Sequence, residues 1–549
     1  MNRILNIAII VIFSVSTSFG QRLKKADRLT VDRLRSHVTY LSNDQLEGRR
    51  AGTNGEKLAM EYISREFQKA GLKTSGPANS WYQPFNIYDG KQVNPSTHLF
   101  INGADLKLHQ EYFPLSFSAS ESIESAAAMA LPERGVPWFY NVGDLLQENK
   151  QNPHFDLKEA IRLKAIAMAD KGAAAMFVYN SSELPDNLAF NGKAKMETST
   201  IPVLYISREA MKKYIAEESS MLDIKLKVDI GDKNRTGHNV IGYLNNGAPS
   251  TIIFGAHYDH LGYGEDGDSM IRSGEKSIHN GADDNASGTA ALIELARLLA
   301  GAKNKKHNYL FIAFSGEELG LFGSKHFTEN PTIDLSSVNY MINMDMIGRL
   351  DEKKSLTIGG YGTSPVWGEL LPSLKEARNF TIKFDSSGTG PSDHTSFYRK
   401  DKPVLFFFTG LHSDYHKPTD DADKINYNGQ LNILKYITEL VTKSASKGKI
   451  AFVKTREQQT STNARFSVSL GILPDYTFSG SGVRVDGVSA GRAAEKIGIK
   501  EGDVIVQLGE HAVNSMETYM QALAAFKKGD KSKVKYKRGN EELQADIEF

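Results

Sequence analysis

The segment NYLFIAFSGEELGLFGS, residues 308–324, joins an apolar run to two adjacent glutamates, Glu317 and Glu318. The apolar half predicts a strand buried on both faces, as in parallel sheets covered by helices. Neighbouring side chains of a strand point to opposite faces, so both carboxylates can serve one site only if the strand ends and the backbone turns. Gly316 and Gly320 permit such a turn. Taken alone, the pair is more typical of a solvated helix start, where the helix dipole favours acids.

Three other apolar runs between residues 239 and 446 repeat the buried-strand pattern. They are TIIFGA (251–256), VNYMIN (338–343) and PVLFFF (403–408). The stretch NASGTAALIELARLLA (285–300) carries apolar residues at helical spacing and separates two of the strands. Strands that alternate with helices predict an α/β fold, with a mostly parallel sheet flanked by helices.

The composition excludes several classes of protein. With 549 residues the chain is too long for one compact core, which predicts several domains. A net charge of +1 and 24% charged residues give no global field that would attract nucleic acid. The lack of cysteine excludes disulfides, thiol nucleophiles and thiolate metal sites.

The N-terminal stretch MNRILNIAIIVIFSVSTSFG combines one early arginine, an apolar run and small residues near its end. That pattern is typical of a cleaved secretory signal peptide over residues 1–20, with Gln21 as the first mature residue. It predicts an exported protein, periplasmic or extracellular, with no stable membrane insertion after cleavage. An uncleaved membrane anchor is the alternative, although the apolar run is short for a span.

Acids and histidines follow every predicted strand. Ligands in open parallel sheets bind beyond the carboxyl ends of the strands. A lone histidine or acid is more often structural, but the coincidence of several at strand ends favours one site. The residues at these positions are His257, Asp259, Asp284, Glu317, Glu318, Asp345 and His416.

This set of side chains suits two zinc ions. Imidazole nitrogens and carboxylate oxygens are zinc ligands, and two zinc ions about 3.5–4 Å apart form a clamp for hydrolysis. Roughly +4 from the ions and −3 from three carboxylates leave a positive centre that favours a shared hydroxide. One consistent arrangement has His257 and Asp345 on one ion, Glu318 and His416 on the other, and Asp284 as a bridge.

The remaining acids then have supporting roles. Glu317 is left as the general base that takes the proton of water and delivers it to the leaving amine. Asp259 is expected to orient His257, and Asp420 is expected to orient His416.

The motifs that carry these residues resemble those of the co-catalytic zinc aminopeptidases. The resemblance implies a zinc exopeptidase fold, two zinc ions on the five ligands above, Glu317 as catalytic acid/base, and removal of N-terminal residues from peptides. It selects Asp284 over Asp283 as the bridge, because the family's bridging aspartate is followed by a cis peptide. Tyr415 resembles a tyrosine that steadies the tetrahedral intermediate in some members. The matching segments are AHYDHLG (256–262), GADDNASGT (281–289), FSGEELGLFGS (314–324), NMDMIG (343–348) and SDYHKPTDD (413–421).

Two further units accompany the predicted peptidase. The patterns MADKGAAAMFVYN and IPVLYI resemble an inserted protease-associated domain. Near the C-terminus, SLGI (469–472) stands where PDZ domains have the loop for a peptide carboxylate, and such domains add an extended peptide to a sheet edge. The predicted division is a signal peptide at 1–20, a peptidase at 21–117 and 233–446, an insert at 118–232, a linker at 447–464 and a PDZ-like domain at 465–549.

The expected partners are peptide substrates and, at the PDZ-like domain, a peptide C-terminus or a protein partner. Two alternatives to an aminopeptidase stay open at this point. A carboxypeptidase of the same fold needs a cation for the substrate's carboxylate, and Arg349 is the candidate. A non-enzymatic adaptor would act through the PDZ-like domain and leave the metal site vestigial. His394 is expected near the rim of the site, without an assigned role.

Overall fold

The computed structural model describes most of the chain from residue 24 onward. The predicted signal peptide at 1–20 lies outside the described residues, and so do residues 456–464 of the predicted linker. None of the described helices has both the length and the apolar composition needed to cross a bilayer. The described residues are 24–152, 155–194, 196–215, 217–271, 276–303, 305–455, 468–474, 478, 480–488, 492–514, 518–519, 522–523, 525–527 and 529–549.

Two amphipathic helices come first and pack on the main sheet. Their buried residues recur every three or four positions, which gives each helix one apolar face. Two strands follow them. These elements are α1 (Lys25–Leu41), α2 (Asn54–Lys69), β1 (Lys73–Thr74) and β2 (Tyr82–Val93).

The inserted unit comes next and contains two small sheets, each beside its own apolar cluster. Its elements are β3 (His98–Ile101), β4 (Ala104–Asp105), β5 (Tyr112–Pro114), β6 (Ser122–Ala128), β7 (Pro137–Asn141), α3 (Gly143–Asn149), α4 (Leu157–Asp170), β8 (Ala175–Tyr179), β9 (Val203–Ile206), α5 (Arg208–Tyr214) and β10 (Met221–Lys227). One sheet has the order β4-β3-β10-β6 and the other β5-β9-β8-β7.

The insert begins earlier than the predicted boundary at Ser118. Strands β3, β4 and β5 precede Ser118 but pair within the sheets of the insert. Strand β11 (Ile230–Leu244) pairs with β2 from Val93↔Ile230 to Tyr82↔Val240, and this ribbon joins the insert to the main sheet. The insert therefore spans 94–229. Its first strands are too short to show a hydrophobic period, which is why the pattern placed them in the peptidase.

The main sheet has a parallel centre. Its further elements are β12 (Thr251–His257), α6 (Gly288–Ala300), β13 (Asn308–Phe314), α7 (Phe322–Glu329), β14 (Val338–Met344), β15 (Ser355–Gly359), α8 (Pro365–Ser373), β16 (Thr381–Phe384), α9 (His394–Tyr398), β17 (Val404–Phe408) and α10 (Tyr427–Ser444). The strand order is β1-β11-β13-β12-β14-β17-β15-β16. The four strands predicted from the apolar runs, β13, β12, β14 and β17, are adjacent and parallel, which confirms the α/β prediction. Strands β11 and β15 run antiparallel to these neighbours, so the sheet as a whole is mixed.

The C-terminal unit is rich in strands and has its own apolar cluster. Its elements are β18 (Ile472–Pro474), β19 (Val483–Val488), α11 (Ala493–Lys496), β20 (Val504–Leu508), β21 (His511–Ala512), β22 (Lys531–Arg538) and β23 (Glu541–Glu548). The order is β18-β19-β20-β22-β23, with β21 paired to β20.

The start of the predicted linker belongs to the peptidase body instead. Ile450 is only 3% exposed. Asn339 on β14 donates to the carbonyl of Gly448 at 2.9 Å and accepts from the backbone N–H of Ile450 at 2.7 Å. The polar composition of the stretch suggested a free connection, but its backbone is hydrogen-bonded to the main sheet.

Candidate metal centre

The carboxyl ends of the central strands meet at one edge of the sheet. Strand β12 ends at His257, and Asp345 directly follows β14. After β13 the backbone turns at Gly316, whose φ of 67° lies in the left-handed region that glycine adopts freely. The turn brings both glutamates to the same cluster, since Glu317 Oε2 lies 3.9 Å from His257 Nε2 and Glu318 Oε1 lies 2.6 Å from His260 Nδ1.

Asp284 lies between two histidines. Its Oδ1 is 3.4 Å from Nε2 of His257, and its Oδ2 is 3.4 Å from Nε2 of His416. Nε2 of His257 is also 3.2 Å from Oδ1 of Asp345, and Nε2 of His416 is 3.2 Å from Oε2 of Glu318. The structure thus brings the five predicted ligands together as two histidine–carboxylate sets that share Asp284. A cis peptide bond follows Asp284.

The donor atoms fit a pair of metal ions. Two groups of three ligand atoms lie within 4.8 Å of one another, one made by His257, Asp284 and Glu318 and one by His257, Glu317 and Asp345. Imidazole nitrogen and carboxylate oxygen without thiolate suit zinc. The His416 side chain is 13% exposed and that of His257 is 1% exposed, so the cluster is more open on the His416 side.

Electrostatics bind protons tightly to the histidines. Burial raises the pKa of Asp284, but hydrogen bonds from His257 and His416 outweigh it and lower that pKa well below its usual value. Burial lowers the pKa of His416, but Glu318 and Asp284 raise it to about 11. Metal ions require neutral imidazoles, so a cation that enters the cluster must displace these protons.

Glu317 lies beside the ligand pairs and is mostly buried. Burial raises the pKa of Glu317 well above its usual value, and Asp345 adds to this although His257 opposes it. A carboxyl group with a raised pKa can take and return a proton near neutral pH.

Asp259 contacts both Glu317 and His257. Its Oδ1 accepts the backbone N–H of Glu317 at 3.2 Å and lies 3.7 Å from Nδ1 of His257. The carbonyl oxygen of Asp259 is closer to the same nitrogen, at 3.2 Å. Asp259 is therefore placed to orient the imidazole, as predicted from its spacing, mainly through its backbone.

Tyr415 stacks on the ring of His416, with ring centroids 3.8 Å apart. Burial, Asp284 and Glu318 raise the pKa of Tyr415. Its hydroxyl therefore keeps its proton and is available as a donor beside the cluster.

The support of His416 differs from the prediction. Asp420 accepts the backbone N–H groups of residues 283 and 284, at 2.8 and 3.0 Å, and so holds the loop that carries the bridging carboxylate. Nδ1 of His416 lies 2.9 Å from the carbonyl oxygen of Asp268. The N–H of Met270 donates to the carbonyl of His416 at 3.0 Å. A contact between segments so far apart in sequence leaves no local pattern, whereas Asp420 was inferred from spacing alone.

The segment PSDHTSF supports Asp345 through Ser392, which the sequence analysis missed. The Ser392 hydroxyl donates to Oδ2 of Asp345 at 2.8 Å and accepts from Nδ2 of Asn343 at 2.8 Å. His394 in the same segment does not lie at the rim as expected. It is 1% exposed and stacks on Phe406 at 4.5 Å, and burial lowers its pKa to about 3.

Two further residues at the centre were missed. His260 is buried and its Nδ1 lies 2.6 Å from Oε1 of Glu318. Its place in AHYDHLG, directly after Asp259, was the available signal. Arg49 is fully buried and donates to backbone carbonyls of Leu41, Tyr258, residue 280 and residue 281. No sequence pattern identifies a side chain that acts on distant carbonyl groups.

Comparison with known proteins places this geometry in a family. The model of Peptidase family M28 matches residues 239–441, which contain every residue of the cluster, and the PDZ domain model matches residues 450–549. The chain carries an M28 peptidase domain. Outside the M28 domain, the C-terminal strands form a PDZ domain, as predicted.

The M28 domain is similar to several characterised enzymes. Aminopeptidase YwaD of Bacillus subtilis is 29% identical over 278 residues, which cover 46% of this chain and 53% of that protein. Leupeptin-inactivating enzyme 1 of Streptomyces exfoliatus is 30% identical over 193 residues, or 34% of this chain and 39% of that protein. The chain thus spans about half or less of the length of these relatives. The solved aminopeptidase from Aneurinibacillus sp. strain AM-1 is 20% identical with a TM-score of 0.43, covering 78% of this chain and 96% of that one.

Proposed function

We propose that this protein is an exported two-zinc aminopeptidase that releases N-terminal residues from peptides. The observation that carries the proposal is the position of Asp284, whose two oxygens each lie 3.4 Å from a different histidine. Each histidine has a second carboxylate beside it, which gives two equivalent ligand sets around one shared acid. His257 and Asp345 would hold one ion, Glu318 and His416 the other. Bound zinc supplies Lewis acidity and lowers the pKa of water.

The side chains around the ligands would carry the proton transfers and the charge stabilisation. Glu317 accepts the proton of the attacking water and delivers it to the nitrogen of the leaving amine. Tyr415 donates a hydrogen bond to the oxygen of the substrate carbonyl as negative charge develops there. Asp259 holds Glu317 in position through the backbone N–H of that residue.

Cleavage from the N-terminus is favoured over cleavage from the C-terminus. Arg349, the cation considered for a substrate carboxylate, donates through Nη2 to Asp414 at 2.9 Å, and its Nη1 lies 3.9 Å from Asp420. Two acids therefore already compensate the guanidinium charge. The Bacillus subtilis relative is named an aminopeptidase.

A defined peptide and its N-acetylated twin, incubated with the zinc-loaded protein and followed by mass spectrometry, test the proposal. We expect stepwise loss of N-terminal residues from the free peptide alone, abolished by a chelator. Glu317→Gln removes the base and should lower kcat by at least about a hundredfold. Loss of C-terminal residues from both peptides would contradict the aminopeptidase assignment. Full activity of the Glu317→Gln protein would contradict the mechanism.

The PDZ domain is proposed to bind an extended peptide, either substrate or a partner's C-terminus. Strand β18 lies at the end of the described sheet order, so one of its edges is free to receive an added strand. We also propose that the insert at 94–229 is a protease-associated domain. Its contacts with the loop 261–271 place it beside the M28 site.

A further inference from the structure

A small cavity lies beside the ligand cluster. Its volume is about 10 Å³, and Asp259, His260, Asp268 and Glu318 are among its lining residues. Glu318 is the one predicted metal ligand among the described residues that line it. A volume of this size holds about one water-sized group and excludes an amino-acid side chain.

Two buried polar atoms at this cavity have no partner among the described residues. They are Oδ2 of Asp259, whose side chain is 1% exposed, and Nε2 of His260, in a residue 2% exposed. An unpaired buried carboxylate oxygen costs free energy, because it loses its water without gaining a hydrogen bond. A small cationic donor in the cavity would satisfy it.

The loop that carries Asp268 is held firmly against the site. Asp266 accepts from Arg50 Nε at 2.7 Å and from Lys193 Nζ of the insert at 2.8 Å. The carbonyl of Asp268 lies 2.9 Å from Nδ1 of His416. The carboxylate of Asp268 itself has no hydrogen bond or ion pair among the residues that the structure describes. It is the acid of this loop that remains available to a ligand.

We propose that this cavity receives the α-ammonium group of the substrate's N-terminal residue, with Asp268 and Asp259 as its acceptors. The inference rests on the proposed function and specifies how that site recognises a chain end. An N-terminal amine has a pKa of about 8, so it is mostly a compact cation with three donors at neutral pH. A cavity of one-group size has no room for a preceding residue. Cleavage would therefore be limited to the first peptide bond.

Two hydroxamates that differ only in the amine test the proposal. L-Leucine hydroxamate and 4-methylpentanoyl hydroxamate share the metal-binding group and the side chain, and only the first has an α-amine. Their inhibition constants are measured on the zinc-loaded full chain for the original protein, Asp268→Asn and Asp268→Glu. Asp32→Asn, an exposed position on α1, is the matched control. Zinc content is measured for each protein.

The original protein should prefer the amine-bearing inhibitor by about tenfold or more, and Asp268→Asn should remove most of that preference. Asp268→Glu should restore part of it, and zinc content should stay unchanged. An unchanged preference in Asp268→Asn would overturn the inference, as would equal weakening of both inhibitors or loss of zinc. Competition of ammonium or potassium ions with the desamino inhibitor would assign the cavity to a free cation and also overturn it. These outcomes are separable from failure of the proposed function, which would appear as no hydrolysis of any free peptide by the original protein.

Discussion

The hydroxyl of Ser392 lies between a ligand carboxylate and a strand, donating to Asp345 and accepting from Asn343, both at 2.8 Å. Partners of this kind fix the orientation of a ligand, and their loss typically weakens metal binding 10- to 100-fold. We expect Ser392→Ala to lose zinc to a competing chelator at correspondingly lower chelator concentration, with little change in melting temperature. Ser396→Ala is the control, because the Ser396 hydroxyl lies 2.9 Å from that of Ser324. Equal zinc retention in both variants would contradict this role.

The ligand residues were predictable from sequence because each follows a buried strand or lies in a short motif. Their partners were not. The hydroxyl of Ser392 and the carbonyl of Asp268 reach the site from segments whose position depends on the whole fold. Asp420 illustrates the limit, since its spacing from His416 suggested a contact that the turn of the backbone directs elsewhere.

At the scale of elements, Glu294 joins α6 to α1. The Glu294 side chain is 1% exposed and lies 2.8 Å from Arg33 and 2.9 Å from Arg297. Burial raises the pKa of Glu294, but His37, Arg33 and Arg297 lower it to about 2, against about 4.3 in an unfolded chain. A lowered folded-state pKa stabilises the fold above the unfolded value, and this contribution disappears as the pH falls towards 2.

We therefore expect Glu294→Gln to reduce the free energy of unfolding by about 2–3 kcal/mol at pH 6. The difference between the two proteins should shrink steadily between pH 4 and pH 2. Denaturant unfolding at a series of pH values measures it. A difference that does not change with pH would show that packing, rather than charge, stabilises this contact.

Arg49 ties three elements together. It donates to Tyr258 beyond β12 at 2.7 Å, to residues 280 and 281 before the bridging Asp284, and to Leu41 at the end of α1. Arg49→Lys keeps the charge but loses the planar fork, leaving several buried carbonyls unpaired. We expect a loss of about 3–5 kcal/mol of stability, seen as a lower melting temperature. Lys69→Arg on the exposed face of α2 is a control that should melt normally. A normal melting temperature for Arg49→Lys would contradict the clamp.

At the scale of the whole molecule, the M28 domain extends past its last helix. Ile450 is buried, and residues 448–455 are hydrogen-bonded to the body of the domain. A chain ended after residue 455 should keep its melting temperature and its hydrolysis of short peptides. A chain ended after residue 446 should melt several degrees lower, because Asn339 loses both of its partners. Equal melting temperatures would show that this strap contributes nothing.

The domain order was predictable from composition and motifs, but the boundaries were not. The central strands are continuous apolar runs, whereas the insert opens with strands of only two to four residues. The straps and ribbons that connect domains have polar, half-exposed residues that resemble loops in sequence. Pairing with distant strands, and not local propensity, makes them ordered.

The ribbon of β2 and β11 has a consequence for how such a protein can arise. Val93 and Ile230 face each other across the ribbon, so the chain leaves the main sheet and returns to it at a single point. The insert thus occupies the place of a hairpin turn, and its removal or replacement leaves the register of the main sheet intact. A gene segment encoding residues 94–229 could be gained, lost or exchanged between lineages in one step, while the hydrolytic centre is inherited without change.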